Sequence, residues 1–375
     1  MPEHVEQARA RLERLMGYLE RDPTNVSLLG DAIESALKAH DPQRAIDLYE
    51  RLAAIAPPAD ALSNLAGVAE LQLGRYDAAV ARFSTLQARL AHDPALNLNL
   101  AYALAMTGAK SEALSYLDQS TTTALASAAA LEVELLHDAG EFDQAIAQAR
   151  LALELHPQDE GLAAIVATLA VDLEDLDLAR ACASRSSEQP QSLVTLGLLA
   201  MGEDRNIEAL QLFERARSKD PGSARAWLGT GMAKLTAGQT GDAAADLEHA
   251  AELFKDHVGS WIAAGWARIF LKDYAKARAF LEHALALDRN FAECHGSLAV
   301  LGALEGQFDE ARRLSAAAMG LDRQSFSAAF ARALLLSGAN KPEAADAIMQ
   351  RALNTPIDAS GRTIAHSLAR YGMRP

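Results

Sequence analysis

GRYDAA at residues 74–79, GEFDQA at 140–145 and GQFDEA at 306–311 are one phrase written three times, and KDYAKA at 272–277 is a fourth version with Lys in place of Gly. The Ala that closes the phrase serves as an anchor. It recurs at Ala45, Ala79, Ala113, Ala145, Ala179, Ala209, Ala243, Ala277, Ala311 and Ala344, with successive spacings of 34, 34, 32, 34, 30, 34, 34, 34 and 33 residues. A general liking for Ala does not produce that period; tandem copies of one supersecondary unit do.

Other positions keep step with the anchor. Four residues after it comes a bulky side chain in Tyr49, Phe83, Leu117, Phe213, Leu247 and Leu281. Three further on lies a small one, as in Ala216, Ala250 and Ala284. Twelve residues before it lies another small residue: Gly67, Ala101, Gly197, Gly231, Gly265 and Ala299. Pro57, Pro157, Pro221 and Pro356 follow the last turn of a unit. Small residues on facing sides let two helices approach closely, and bulky ones fill the gaps. Gly74, Gly108, Gly140, Gly238 and Gly306 fall where a first helix must end, because Gly tolerates the left-handed cap. Pro suits the start of the following helix.

With these positions in view the chain resembles the tetratricopeptide-repeat family, whose 34-residue pattern is W-x2-L-G-x2-Y, then A-x3-F, then P. Leu193, Leu196, Gly197, Ala209, Phe213, Ala216 and Pro221 carry nearly all of it, and Trp227 with Gly231 and Trp261 with Gly265 carry its opening. The resemblance covers roughly residues 25–356 and implies an all-α fold: a right-handed superhelical α-solenoid of helix-turn-helix hairpins. One hairpin cannot bury its own apolar face, so stability accumulates by stacking.

The ends and the middle depart from the period. Residues 1–24 read as an N-terminal capping helix, with Val5, Ala8, Leu12, Leu15 and Leu19 as its apolar stripe. Repeats one to five are expected over 25–183 and repeats six to ten over 193–356. The polar run SRSSEQPQS at 184–192 separates them, as a shortened helix or as a hinge. Residues 357–375 are expected to form a C-terminal capping helix, with Ile364 and Leu368 inward and Arg362 and Arg370 outward.

Composition limits what such an array can do. Lys and Arg number 35 against 50 Asp and Glu, a net charge of −15, and the basic footprint that a nucleic-acid binder needs is missing. No window reaches eighteen consecutive apolar residues, so direct membrane insertion is not expected. Two cysteines, Cys182 and Cys294, exclude a disulfide framework. With no apolar signal segment at the N-terminus, the expected location is cytoplasmic. No cofactor is implied. GTGMAK at 229–234 lacks the ending of a phosphate loop, and Ser35 with Lys38 lacks the companion motifs of the penicillin-binding enzymes. His249 and His283, at equivalent places in adjacent repeats, have no third ligand with which to hold a metal. The expected function is therefore non-catalytic: a scaffold or chaperone-like adaptor that binds a peptide or amphipathic helix of another protein. The alternatives are a self-associating structural protein and a regulatory subunit of a separate enzyme or assembly machine.

The resemblance also implies that the first helix of each hairpin lines a concave groove. On that plan the groove residues lie eleven, eight and seven places before the anchor, with those fifteen before it contributing. They are Glu134, His137, Asp138, Val171 and Asp172 in repeats four and five, then Leu198 and Met201 in repeat six and Met232 and Leu235 in repeat seven. Repeat eight adds Ile262, Trp266, Ile269 and Phe270, and repeat nine adds Val300 and Leu304. The groove so drawn passes from acidic to apolar. From Glu132 to Arg180 there are twelve acidic and two basic residues, which is either a solvated face or a charged partner surface. The Lys, Asn and Arg with which some members of the family grip a C-terminal carboxylate are replaced here by mostly apolar residues.

Overall fold

The computed structural model describes residues 3–356 and Thr363, and among them there are twenty-two helices and no strand, only an isolated bridge between Pro356 and Thr363. The expected C-terminal capping helix lies outside the described residues. The chain divides into two compact units, Met1–Asp175 and Leu176–Pro375.

The first unit begins with α1 (Glu3–Arg21), whose Val5, Ala8, Leu12, Leu15 and Leu19 are buried as its stripe requires. Hairpins follow: α2 (Val26–Lys38) with α3 (Pro42–Ala53), α4 (Asp60–Gln72) with α5 (Tyr76–Gln87), and α6 (Pro94–Met106) with α7 (Lys110–Tyr116) and α8 (Gln119–Ala124). Then come α9 (Ala126–Asp138) with α10 (Phe142–Leu155), and α11 (Glu160–Asp172). The split of the third hairpin's second helix was not foreseen. Asp118 causes it, because its carboxylate accepts a 2.8 Å hydrogen bond from the Thr121 amide and starts a new helix. The Ser-Thr-Thr-Thr run beyond has little propensity to continue the old one.

The second unit holds α12 (Leu176–Arg185), then α13 (Pro190–Gly202) with α14 (Asn206–Lys219), α15 (Ala224–Thr236) with α16 (Thr240–Phe254), and α17 (Val258–Phe270) with α18 (Tyr274–Leu287). It ends with α19 (Ala292–Leu304) and α20 (Phe308–Leu321), then α21 (Phe326–Gly338) and α22 (Pro342–Leu353). Helix α12 has 10 residues, against 14 in α14. The polar run that ends it is partly interior: the Ser186 and Ser192 hydroxyls, both fully buried, lie 2.6 Å apart, and Ser186 also donates to the Cys182 carbonyl.

The anchor is the fourth residue of the second helix in every hairpin, and it is buried each time. In the last hairpin this place belongs to Ala345. Ala344 is exposed, so the register drawn from the sequence was one residue short there, and the final spacing is 34 like most others. The small residue twelve places earlier faces the bulky one four places later. A Cβ on Gly67 would stand 2.4 Å from the Phe83 ring, and one on Gly265 would stand 2.7 Å from Leu281. Phe213, fully buried, is clasped by glycines of two hairpins: a Cβ would lie 2.6 Å from its ring at Gly197 and 2.4 Å at Gly229.

The corner between the two helices has one geometry throughout. Five places before the anchor the backbone is left-handed: φ is 69–87° at Gly74, Gly108, Gly140, Gly238 and Gly306, and 56–60° at His40, Glu174, Asp204, Lys272 and Asn340. The next residue's amide closes the corner onto the helix it leaves, as in Arg75 N–H to Glu70 O and Asp273 N–H to Arg268 O, both 2.9 Å. Half the corners therefore carry a side chain in a conformation that favours Gly. Some hairpins are also fastened by an ion pair nine places before and three after the anchor. It is Glu70 with Arg82 at 2.5 Å in the second hairpin, and the reversed Lys234 with Asp246 at 2.6 Å in the seventh.

Candidate functional site

Within each unit, first helices pack on first helices, as α2 does on α4, α9 on α11, α17 on α19 and α19 on α21. Second helices pack on first helices instead, so the first helices line the tighter side of the stack. In the second unit that side presents Leu198, Met201, Met232, Leu235, Ile262 and Trp266 partly exposed, and Phe270 and Leu304 exposed at 59% and 40%. Two of the expected groove residues are not on it. Ile269 and Val300 are buried and belong to the cluster that includes Leu281, Leu298, Leu301 and Ala331. For Val300 the cause is Gly296, where a Cβ would meet the Ala328 amide nitrogen at 2.8 Å. That contact draws α21 onto α19 and closes the space beside Val300.

Trp266 is half core and half surface. Its indole N–H donates to Ser297 Oγ at 2.9 Å, Ser297 reaches Ser327 Oγ at 3.4 Å, and the Ser325 and Ser327 hydroxyls donate to Glu293. The ring meets Phe270 at 5.9 Å between centroids and stacks on Phe330 at 6.1 Å, and Phe330 stacks on Phe326 at 6.3 Å. These four aromatics form a ladder over the small residues of α19, held in orientation by the serine network beneath. Phe326 and Phe330 escaped the sequence reading. Counted from Ala345, Phe330 falls fifteen places before the anchor and so on a groove row; counted from Ala344 it does not.

In the first unit Glu134, Asp138 and Asp172 are exposed and Val171 is partly so. His137 lies 3.2 Å from Asp172, and Lys110 reaches Asp138 at 2.8 Å. Desolvation raises the partly buried Glu132 carboxyl above the usual range; the Glu134 carboxyl, on a residue exposed as a whole, moves the same way from the protein packed around the carboxyl end and the Asp138 charge. Other acids of this stretch do structural work. Asp159 caps α11 by accepting from the Leu162 amide at 2.7 Å, and Arg150 binds Asp175 at 3.2 Å.

The remaining motifs are absorbed by packing. GTGMAK lies inside α15. Trp227 and Trp261 donate their indole N–H to the carbonyls of Pro221 and Lys255 at 2.8 and 2.7 Å. His249 and His283 are their ring partners, each at 4.4 Å, which accounts for their shared repeat position. Burial raises the Cys294 thiol to about 11, with Asp288 and Glu293 adding, so it stays protonated at neutral pH. Among the described residues no three His, Cys, Asp or Glu side chains are placed to hold a metal, and no helix is long and apolar enough to cross a membrane.

Two tetratricopeptide-repeat profiles match the chain, one at residues 31–81, 64–130 and 194–248 and the other at 234–301, together more than half its length. The chain belongs to the tetratricopeptide-repeat family. Solved structures similar to part of this tetratricopeptide-repeat chain include MamA (18% identity, 42% of this chain and 92% of that one, TM-score 0.35) and pilF of Pseudomonas aeruginosa (18%, 54% and 94%, TM-score 0.45). A third is YrrB, described as a tetratricopeptide-repeat protein with an unusual peptide-binding site (19%, 51% and 95%, TM-score 0.35). No curated protein matches the chain. As a member of this family it is a protein-interaction scaffold.

Proposed function

We propose that the protein is a non-catalytic, cytoplasmic adaptor that holds an apolar peptide or amphipathic helix of another protein against the first helices of its second unit. The observation that carries this reading is the aromatic ladder with its exposed end. Phe270 and Leu304 face solvent one turn beyond Trp266, and Met232 and Met201 continue the apolar surface. Such a surface suits a helix-in-groove partner, with rigid aromatics as anchors and methionines as adaptable contacts. A photo-crosslinking residue placed at Phe270 or Leu304 should label a partner in native lysate, whereas one at Ile207, an exposed position on α14, should not. Equal labelling from both places would refute the site. Light scattering separates the adaptor from the self-associating alternative: the adaptor is a monomer when free.

A further inference from the structure

A second candidate site lies on another face of α21. Across the seam between one hairpin's second helix and the next hairpin's first helix, the residue one place after the anchor faces the residue six places before the next anchor. At two seams of the second unit these are an Arg and a Glu in contact, Arg180 with Glu203 and Arg278 with Glu305. At others both places are apolar, as in Leu210 with Ala237 and Ala244 with Leu271. The seam between α20 and α21 follows neither rule: it sets Arg312 opposite Ala339.

At this seam lies a cavity of about 740 Å³, lined by Ala316, Met319, Leu335 and Leu336 together with Arg312, Arg332 and Lys341. Arg312 has one ion pair, to the fully exposed Asp309 of its own helix, and Arg332 and Lys341 have none among the described residues. Exposed pairs of that kind contribute little. Three cations thus converge on an apolar hollow in a chain of net charge −15. The chain's own residues 357–375 are the wrong complement, since they carry Arg362, Arg370 and Arg374 against the single Asp358.

We propose that this seam is a binding site for an acidic segment of a partner protein, in which a Glu or Asp side chain stands beside an apolar one. The partner's carboxylate takes the place that Glu203 and Glu305 fill at the other seams, and its apolar neighbour covers Met319 and Leu335. Guanidinium groups suit this task because they meet a carboxylate through two parallel N–H donors.

Isothermal titration of the full chain with the acetylated, amidated pentapeptide Leu-Glu-Phe-Glu-Leu at low salt should show saturable binding. The Gln analogue should bind about tenfold more weakly, as should the Glu peptide to Arg332→Ala. Ala339→Glu supplies from within the carboxylate that the seam lacks. It should raise the unfolding midpoint and weaken the peptide by tenfold or more. Phe270→Ala should leave this affinity unchanged. Absence of saturable binding, or full affinity in both Ala339→Glu and Arg332→Ala, overturns the proposal. Loss of binding in Phe270→Ala overturns it too, since the peptide would then occupy the first-helix surface. Decanoate binding as tightly as the peptide and lost in Ala339→Glu would assign the cavity to small anionic amphiphiles and overturn the protein partner.

Discussion

Gly229→Ala should change sign according to what stands at residue 213. In the native chain a Cβ on Gly229 meets the Phe213 ring at 2.4 Å, nearer than two carbons can lie, and Phe213 is held from its other side by Gly197. The ring is fully buried, so it has nowhere to retreat. Overpacking of this kind costs ~1–3 kcal/mol, offset by the ~1 kcal/mol that Ala gains over Gly inside a helix. The single substitution therefore ranges from neutral to ~2 kcal/mol destabilising. Phe213→Ala alone should cost ~3–5 kcal/mol. In that background the clash is gone, the helical gain remains, and the new methyl recovers ~0.8 kcal/mol by filling part of the cavity. Gly229→Ala then stabilises by ~2 kcal/mol, and the two sites couple by roughly 2–4 kcal/mol. A repeat array need not unfold in one step. The measurement is accordingly local: native-state hydrogen exchange of peptides from α14 and α15 in the four variants. Equal effects of Gly229→Ala with and without Phe213 would refute the account of why these positions are small.

Further outcomes are expected elsewhere. Lys272→Gly should raise the thermal midpoint, being worth ~0.5–1 kcal/mol, because φ there is 59°, whereas Gly238→Ala at φ 77° should lower it by a similar amount. Trp266→Ala should destabilise by ~2 kcal/mol through lost packing on the α19 cluster and the lost bond to Ser297, while Phe270→Ala should stay within ~1 kcal/mol of the native fold and impair partner crosslinking. Glu132→Gln should stabilise the first unit at neutral pH, because Glu132 is partly buried. The raised carboxyl binds its proton more tightly folded than unfolded, so stability falls as pH rises through the folded value, and the variant's advantage should vanish below about pH 3, where both folded and unfolded forms are protonated. If the 184–192 run is a hinge, a Glu-specific protease should cut first after the exposed Glu188; uniform resistance along the chain would favour a merely shortened helix.

The parts legible in the sequence were those fixed by side-chain volume and by Gly. Gly67 against Phe83 and Gly265 against Leu281 are complementary sizes at constant separation, and the five left-handed glycines announce their corners. The other corners were hidden, because at His40, Glu174, Asp204, Lys272 and Asn340 the conformation is imposed by the repeat's own hydrogen bonds. The candidate site was half legible. Rows counted from the anchor place Trp266, Phe270 and Leu304 on the groove, and the structure leaves all three at least partly exposed, but a row says where a side chain points and not what comes to lie over it. Val300 is interior because of Gly296, one turn before it on the same helix face, Ile269 is buried in the same cluster, and Phe330 was missed through a one-residue slip between two adjacent alanines. The pairing of each histidine with a tryptophan 22 residues earlier, His249 with Trp227 and His283 with Trp261, was visible as a spacing, but only contact gives it meaning.

The reversed ion pairs matter for how the chain avoids confusing its own copies. Ten hairpins of one plan invite a first helix to dock on the wrong second helix, a hazard of tandem sequences during folding. Were the first helices of the second and seventh hairpins exchanged, Glu70 would confront Asp246 and Lys234 would confront Arg82, like against like at positions largely withdrawn from water. The two polarities disfavour that one exchange, whereas hairpins with apolar residues at these places, such as Ala36 with Leu48 and Ala200 with Leu212, are told apart by shape alone.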